Sequence, residues 1–239
     1  MNKLRLFKRL GIGVVLFLLL CVALLLLSRS RDFQLFGELV SHIDTAVPVV
    51  ALTFDDGPSA QYTPDVLATL ARYQVKATFF VTGREASQHS AMTKAIVAAG
   101  HQLGNHSWSH PRLVFRSYAV IANEIEQTDA VIREAGYRGP IYFRPPYGKK
   151  LLLLPWYLKQ HQRVTVTWNV EADSDLGADA DTIAQRVISE VKPGSIVLLH
   201  VMYASREASR AALPSIIEGL RAKGYRLVTM AELLQDSQP

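Results

Sequence analysis

A chain of 239 residues has room for one domain of about 200 residues and a short appendage. Its formal charge of +5 comes from the first 31 residues, where Lys3, Arg5, Lys8, Arg9, Arg29 and Arg31 meet no acid; the rest is near neutral, with no basic stripe of the kind that binds nucleic acid. The single cysteine, Cys21, excludes a disulfide within the chain.

Between residues 10 and 28 nothing is charged and leucine dominates. An uncharged apolar run of this length reads as a membrane span, and at about 1.5 Å per residue it just crosses the hydrocarbon layer. A cleaved signal peptide has a shorter apolar region and a small-x-small site after it, and Ser28-Arg29-Ser30 is a poor match. Residues 1–31 are therefore read as a cytoplasmic tail and uncleaved anchor. Basic residues are denser before the span than after it, which puts the N-terminus in the cytoplasm and the domain on the extracytoplasmic side. Cys21, inside the span and preceded by bulky Leu20, reads as apolar filler.

Residues 32–46 read as a linker, and the domain is expected over 47–235. Short apolar runs rich in β-branched or aromatic residues predict strands at 47–54, 77–81, 141–143, 163–168, 195–199 and 226–229. Ile183, Ala184, Val187, Ile188 and Val191 recur at helical spacing, as do Leu213, Ile216, Ile217 and Leu220, and less cleanly Ile121, Ile125 and Ile132. Pro193-Gly194 and Gly224 end two of these helices. Such alternation implies a parallel sheet, and no repeat of solenoid length is present.

Asp55 and Asp56, Arg144, Glu171 and Asp173, and His200 follow expected strands, where a barrel collects its catalytic groups. Asp55 and Asp56, in Thr53-Phe-Asp-Asp-Gly-Pro58, are adjacent carboxylates at a buried strand end, costly unless a cation balances them. A metal would let one carboxylate bind while the other serves as a base. His106 and His110, four residues apart, suit chelation of one ion, although two histidines in a polar stretch are ordinarily surface residues. Ser107 after His106 excludes the metalloprotease motif, which needs Glu there. One carboxylate and two imidazoles suit Zn, Co, Fe or Ni. Arg144-Pro-Pro-Tyr-Gly148 offers an arginine able to depress a carboxyl pKa and a proline-stiffened loop. His200 ends an apolar strand and, beside a metal site, would protonate a leaving amine. Taken singly, each segment has an ordinary structural explanation.

In this order the four segments resemble the NodB-type polysaccharide deacetylases, carbohydrate esterase family 4, over roughly residues 47–234. The resemblance implies a distorted (β/α) barrel with fewer than eight strands. It implies Asp55 as general base, Asp56, His106 and His110 as ligands of a divalent metal (Zn, with Co, Ni or Fe as alternatives), and Arg144 tuning Asp55. The Tyr147 N–H would hold the oxyanion, and His200 would be the general acid. The implied reaction removes N-acetyl groups from a glycan outside the cytoplasm, whether peptidoglycan, exopolysaccharide or chitin-like. The fourth motif departs from the family. It reads Trp168-Asn-Val-Glu-Ala-Asp-Ser-Asp175 and then Leu176, with Glu171 where Asp is expected and no closing Trp. Asp173 and Asp175 are both candidates to orient His200, and Asp173 is taken as the site residue. Val201-Met202-Tyr203 follows His200 where the family often has Asp. The altered fourth motif keeps one alternative in view, a deformylase or amidase acting on a non-polymeric amide; an inactive glycan-binding homologue is another, against which the retained base, ligands and acid argue. The oligomeric state is not legible.

Overall fold

The computed structural model describes residues 3–175 and 177–235; Leu176, in the fourth motif, lies outside them. The first element is a helix, α1 (Lys3–Arg29). Its stretch Gly11–Arg29, with a mean hydropathy of 2.9, is hardly covered by protein and is long and apolar enough to span a membrane. The end of α1 is tied to the domain. The Ser28 carbonyl accepts from the Lys150 N–H at 3.1 Å, the Ser30 carbonyl accepts from Lys150 Nζ, and the Lys150 side chain is itself buried.

The strands are β1 (Leu39–Val40), β2 (Val49–Asp55), β3 (Thr78–Val81), β4 (Gln102–Asn105), β5 (Thr165–Val166), β6 (Val170–Glu171), β7 (Ser195–His200) and β8 (Arg226–Val228). Around them lie α2 (Thr63–Arg72), α3 (Gly83–Gln88), α4 (Ser90–Ala98), α5 (Tyr118–Glu134), α6 (Leu153–Gln160), α7 (Ala180–Glu190), α8 (Glu207–Ala222) and α9 (Met230–Gln235).

Strands β4-β3-β2-β7-β6 form one parallel path, with β8 pairing the start of β2. Single-residue bridges extend the path. Phe143 links Asn105 to Thr165, β5 pairs β1, and His42 meets Ser195 on β7. The result is a distorted (β/α) barrel, as the resemblance implied. Every residue of β2 is buried, as expected of a central parallel strand covered on both faces. Helices α7 and α8 lay Ile183, Val187, Leu213, Ile216, Ile217 and Leu220 into the main core. Burying each such side chain is worth about 1.5–3 kcal/mol.

Three expectations change. The 32–46 segment, expected as a linker, carries β1 and joins the barrel; a two-residue strand is too short to show alternation. The expected strand at 141–143 is reduced to the bridges of Phe143, because Pro140 on one side and Pro145-Pro146 on the other cannot donate to a ladder. Strand β4 was not expected at all, since Gln-Leu-Gly-Asn lacks an apolar pattern. Because the paired strands run parallel, their C-terminal ends share one rim. There Asp55 stands in register with Phe80 on one side and His200 on the other.

Candidate active site

Asp56 and His110 lie on sharp turns that follow β2 and β4. Asp56 has φ 71°, Ser107 66° and His110 57°, all in the left-handed region that non-glycine residues rarely occupy. The turn after β4 is held by side chains. Asn105 Oδ1 accepts from the Ser107 N–H at 2.8 Å, and Asn105 Nδ2 donates to Asp129 and to the Ile125 carbonyl. These turns bring one oxygen of Asp56 and one nitrogen each of His106 and His110 within 4.8 Å of one another. Asp56 Oδ1 is 4.0 Å from His106 Nε2 and 3.7 Å from His110 Nε2. These gaps are too long for hydrogen bonds and close to the spacing of ligands set about 2.0–2.2 Å from a shared ion.

The electrostatics agree. His106 Nδ1 lies 2.8 Å from the Arg144 carbonyl, which can only accept, so the proton sits on Nδ1 and the Nε2 lone pair faces the cluster. Burial holds His106 neutral, pushing its pKa down to about 4, and burial also lowers that of His110. Burial and the neighbouring Asp55 charge push Asp56 up to about 7. Neutral imidazoles beside a carboxylate short of positive charge form a donor set that fits a divalent ion.

Asp55 is balanced from within the protein. The fully buried Arg144 donates through Nη1 to Asp55 Oδ1 at 2.7 Å and to Thr53 Oγ1 at 2.9 Å, and through Nη2 to the Thr167 carbonyl at 3.1 Å. Its guanidinium also lies 4.0 Å from the Phe80 ring centroid. Burial alone would raise the Asp55 pKa, but the charges of Arg144, His106 and His200 outweigh it, and the net shift is downward. The other oxygen, Oδ2, lies 3.6 Å from His106 Nε2.

Across the pocket, the His200 N–H donates to Asp173 Oδ2 at 2.6 Å, and His200 Nδ1 lies 3.2 Å from Asp173 Oδ1. Ser209 Oγ donates to Asp173 Oδ2 at 2.9 Å. Burial disfavours charge on His200, but the hydrogen bond and charge of Asp173, helped by Asp55 and Asp56, raise its pKa overall. Asp175, the other sequence candidate, instead accepts from the Gly177 N–H. Tyr147, at φ 59°, follows two prolines and so carries the first N–H of its loop. Its ring packs 4.6 Å from that of His110. A groove of about 570 Å³ is bordered by Asp55, Asp56, His106, His110, Tyr147 and His200.

Two neighbours lie outside the expected site residues. Glu85 accepts from the Gly57 N–H at 2.8 Å and from the hydroxyl of Tyr203 at 3.1 Å. Glu171 does not reach His200; it is held by Arg31 and by Trp168 Nε1 at 2.9 Å. No local pattern marks Glu85, whereas the Glu-for-Asp departure at Glu171 was a visible signal.

A sequence model described as polysaccharide deacetylase matches residues 42–166, and a peptidoglycan-N-acetylglucosamine deacetylase of Bacillus cereus is 40% identical over 192 residues, 79% of this chain and 69% of that one. The chain belongs to the polysaccharide deacetylase family. The peptidoglycan-N-acetylglucosamine deacetylase PgdA of Listeria monocytogenes is 37% identical over 185 residues, but the match spans only 38% of its length. Among solved structures, the Bc1960 peptidoglycan N-acetylglucosamine deacetylase superposes with a TM-score of 0.79 at 34% identity, covering 82% of this chain and 92% of that one. A family 4 pseudoenzyme from Bacillus anthracis, BA3943, superposes with a TM-score of 0.76 at 29% identity, covering 84% and 70%. Active and inactive proteins thus share this polysaccharide deacetylase fold, so the site residues carry the functional argument.

Proposed function

We propose that the chain is a membrane-anchored, metal-dependent deacetylase that removes N-acetyl groups from an N-acetylglucosamine-containing glycan, of the peptidoglycan kind, outside the cytoplasm. The observation that carries this reading is the cluster of Asp56, His106 and His110 set in one groove between Asp55, whose pKa is lowered, and His200, whose pKa is raised. A divalent ion held by Asp56, His106 and His110, with Zn favoured over Co, Ni or Fe, would supply Lewis-acid polarisation of the acetamide carbonyl and acidify water. Asp55, kept ionised by Arg144, takes the proton of the attacking water through Oδ2. The Tyr147 N–H donates to the carbonyl oxygen as it gains negative charge. His200, fixed by Asp173 through Nδ1, delivers its Nε2 proton to the sugar nitrogen as the C–N bond breaks, leaving acetate and a free amine.

The anchoring half of the proposal rests on Gly11–Arg29 and on the basic residues that precede it. Reporter fusions before and after the span are expected to place the domain outside the cytoplasm. For the chemistry, the purified full chain loaded with Zn is expected to release acetate from N-acetylglucosamine oligomers or peptidoglycan. No release from any such glycan would overturn the reading. Undiminished biological function in Asp55→Asn would favour glycan binding without catalysis.

A further inference from the structure

Where the apolar span meets the domain, three cations converge without a counter-charge. Arg29 ends α1, Lys149 follows the Tyr147 loop, and Arg112 lies two residues after His110. Lys149 borders one groove together with Arg29 and a second together with Arg112, and its pKa is lowered by partial loss of solvent and by the charges of Arg112 and Arg29. None of them forms an ion pair among the described residues; the Arg112 guanidinium has only the face of the Tyr147 ring, 5.1 Å away. The convergence is built into the fold, because Lys150 grips the Ser28 and Ser30 carbonyls and so fixes Arg29 beside Lys149. Like charges gathered this way are unfavourable unless an anion joins them.

Two grooves meet at this cluster. One is the catalytic groove, whose wall includes Arg29 and Lys149. The other, of about 520 Å³, also includes Lys149 and is lined by Leu24, Leu25 and Ser28 of α1 together with Val114, Phe115 and Leu151. It runs against α1, so with that helix in a bilayer it would open toward the hydrocarbon layer. At its mouth the Phe115 ring is 83% exposed, on a backbone with φ 57°. An apolar channel along the span, then an anion site, then the catalytic residues is the order of parts in a molecule made of a lipid chain, a phosphate and a sugar.

We infer that this chain acts on a lipid-linked saccharide still embedded in the membrane: the lipid lies in the groove beside α1, its phosphate or diphosphate meets Arg29, Lys149 and Arg112, and the N-acetylated sugar enters the catalytic groove. This rests on the deacetylase reading and narrows its substrate.

The test uses the full Zn-loaded chain in phosphatidylcholine nanodiscs. Binding of a fluorescent polyprenyl-diphosphate-linked N-acetylglucosamine saccharide is read by anisotropy, independently of catalysis, and acetate release is read in parallel on that substrate and on a soluble N-acetylglucosamine oligomer. The lipid-linked form is expected to bind about tenfold or more tighter than the soluble one, and Arg29→Glu with Lys149→Glu is expected to remove that preference. Phe115→Ser, at an exposed position, is expected to weaken it without charge reversal. Equal affinity for both substrates, or an unchanged preference in both variants, overturns the inference. So does full competition by equimolar inorganic pyrophosphate, which would mean a free-anion site, or by phosphatidylglycerol, which would mean attraction to the bilayer surface. Acetate release from the soluble oligomer without lipid preference leaves the deacetylase reading standing and this one fallen. Lipid-linked binding with no acetate release from either substrate overturns the deacetylase reading and, with it, the claim that the chain acts on that substrate.

Discussion

His106 and His200 border the same groove, one residue beyond β4 and at the end of β7, yet their pKa values are moved in opposite directions. Both are largely withdrawn from water, and that alone drives an imidazole toward neutrality. What differs is the group behind each ring. Behind His106 is the Arg144 carbonyl, a neutral acceptor that fixes the tautomer but adds little charge, and burial wins. Behind His200 is the Asp173 carboxylate, fixed by the His200 N–H and by Ser209, and its charge overrides burial. A neutral imidazole is a metal ligand and a protonated one is an acid. The same residue type is thus tuned in opposite directions on one rim, chiefly by its backing group, with the charges of Asp55 and Asp56 adding to the rise at His200.

The most drastic way to break this comparison is on the neutral side. His106→Ala or Asp56→Ala is expected to abolish both bound metal, read by elemental analysis, and acetate release. Asp55→Asn should separate chemistry from metal binding: metal content is retained while kcat falls by about 10²–10⁴, the range for loss of a positioned general base. Arg144→Ala leaves the buried Asp55 charge uncompensated and should cost about 3–5 kcal/mol in denaturant unfolding.

The charged side breaks more gently. Asp173→Asn keeps the shape but removes the charge that raises the His200 pKa. The acid must be protonated to act, so activity declines as pH rises through that pKa. Lowering it moves the alkaline limb of the pH–rate profile to lower pH, with a loss of about 10–100-fold above it. The same shift bears on stability. A histidine whose folded pKa is raised stabilises the fold below its unfolded value of 6.5, and that contribution is lost as pH rises through the folded value. Asp173→Asn should therefore flatten the pH dependence of stability across this window. An alkaline limb that stays in place would mean that His200 is not the group titrating there.

Much of this site was legible because chemistry concentrates at strand ends. The Asp-Asp pair, Arg144 and His200 each follow a short apolar run, and a parallel sheet delivers such positions to one rim; the two histidines were legible from their four-residue spacing instead. The backbone that aims them was not legible. Nothing in the letters of Asp56, His110 or Tyr147 announces a left-handed conformation, which arises only when the surrounding structure over-determines it. The choice between Asp173 and Asp175 was equally hidden, since both follow β6 and only the three-dimensional path shows which meets His200. The barrel's closing strand β1 was missed for a related reason. At two residues it lies below the reach of any periodicity, while the strand expected at 141–143 shrinks to the Phe143 bridges.

The mildest perturbation lies where the segment after α1 meets the departed fourth motif. Arg31 pairs with Glu171, its guanidinium lies 4.8 Å from the Trp168 ring centroid, and Trp168 Nε1 donates to the same Glu171 oxygen. Arg31 is well exposed, so the ion pair itself contributes little to stability. Its effect is positional. Arg31, Trp168 and Glu171 all border the catalytic groove, and Glu171 is fixed by them rather than by His200. Its longer side chain, in place of the family's Asp, is therefore matched by a residue that lies outside the expected domain. Arg31→Ala should free Glu171 without touching Asp55, His200 or the metal ligands. KM for the glycan is expected to rise a few-fold, about 0.5–1 kcal/mol of lost ground-state and transition-state binding alike, while kcat holds. A comparable fall in kcat would mean that the Arg31–Glu171 pair positions the chemistry rather than the sugar, and the division between a backing group for each histidine and a separate wall for the substrate would have to be redrawn.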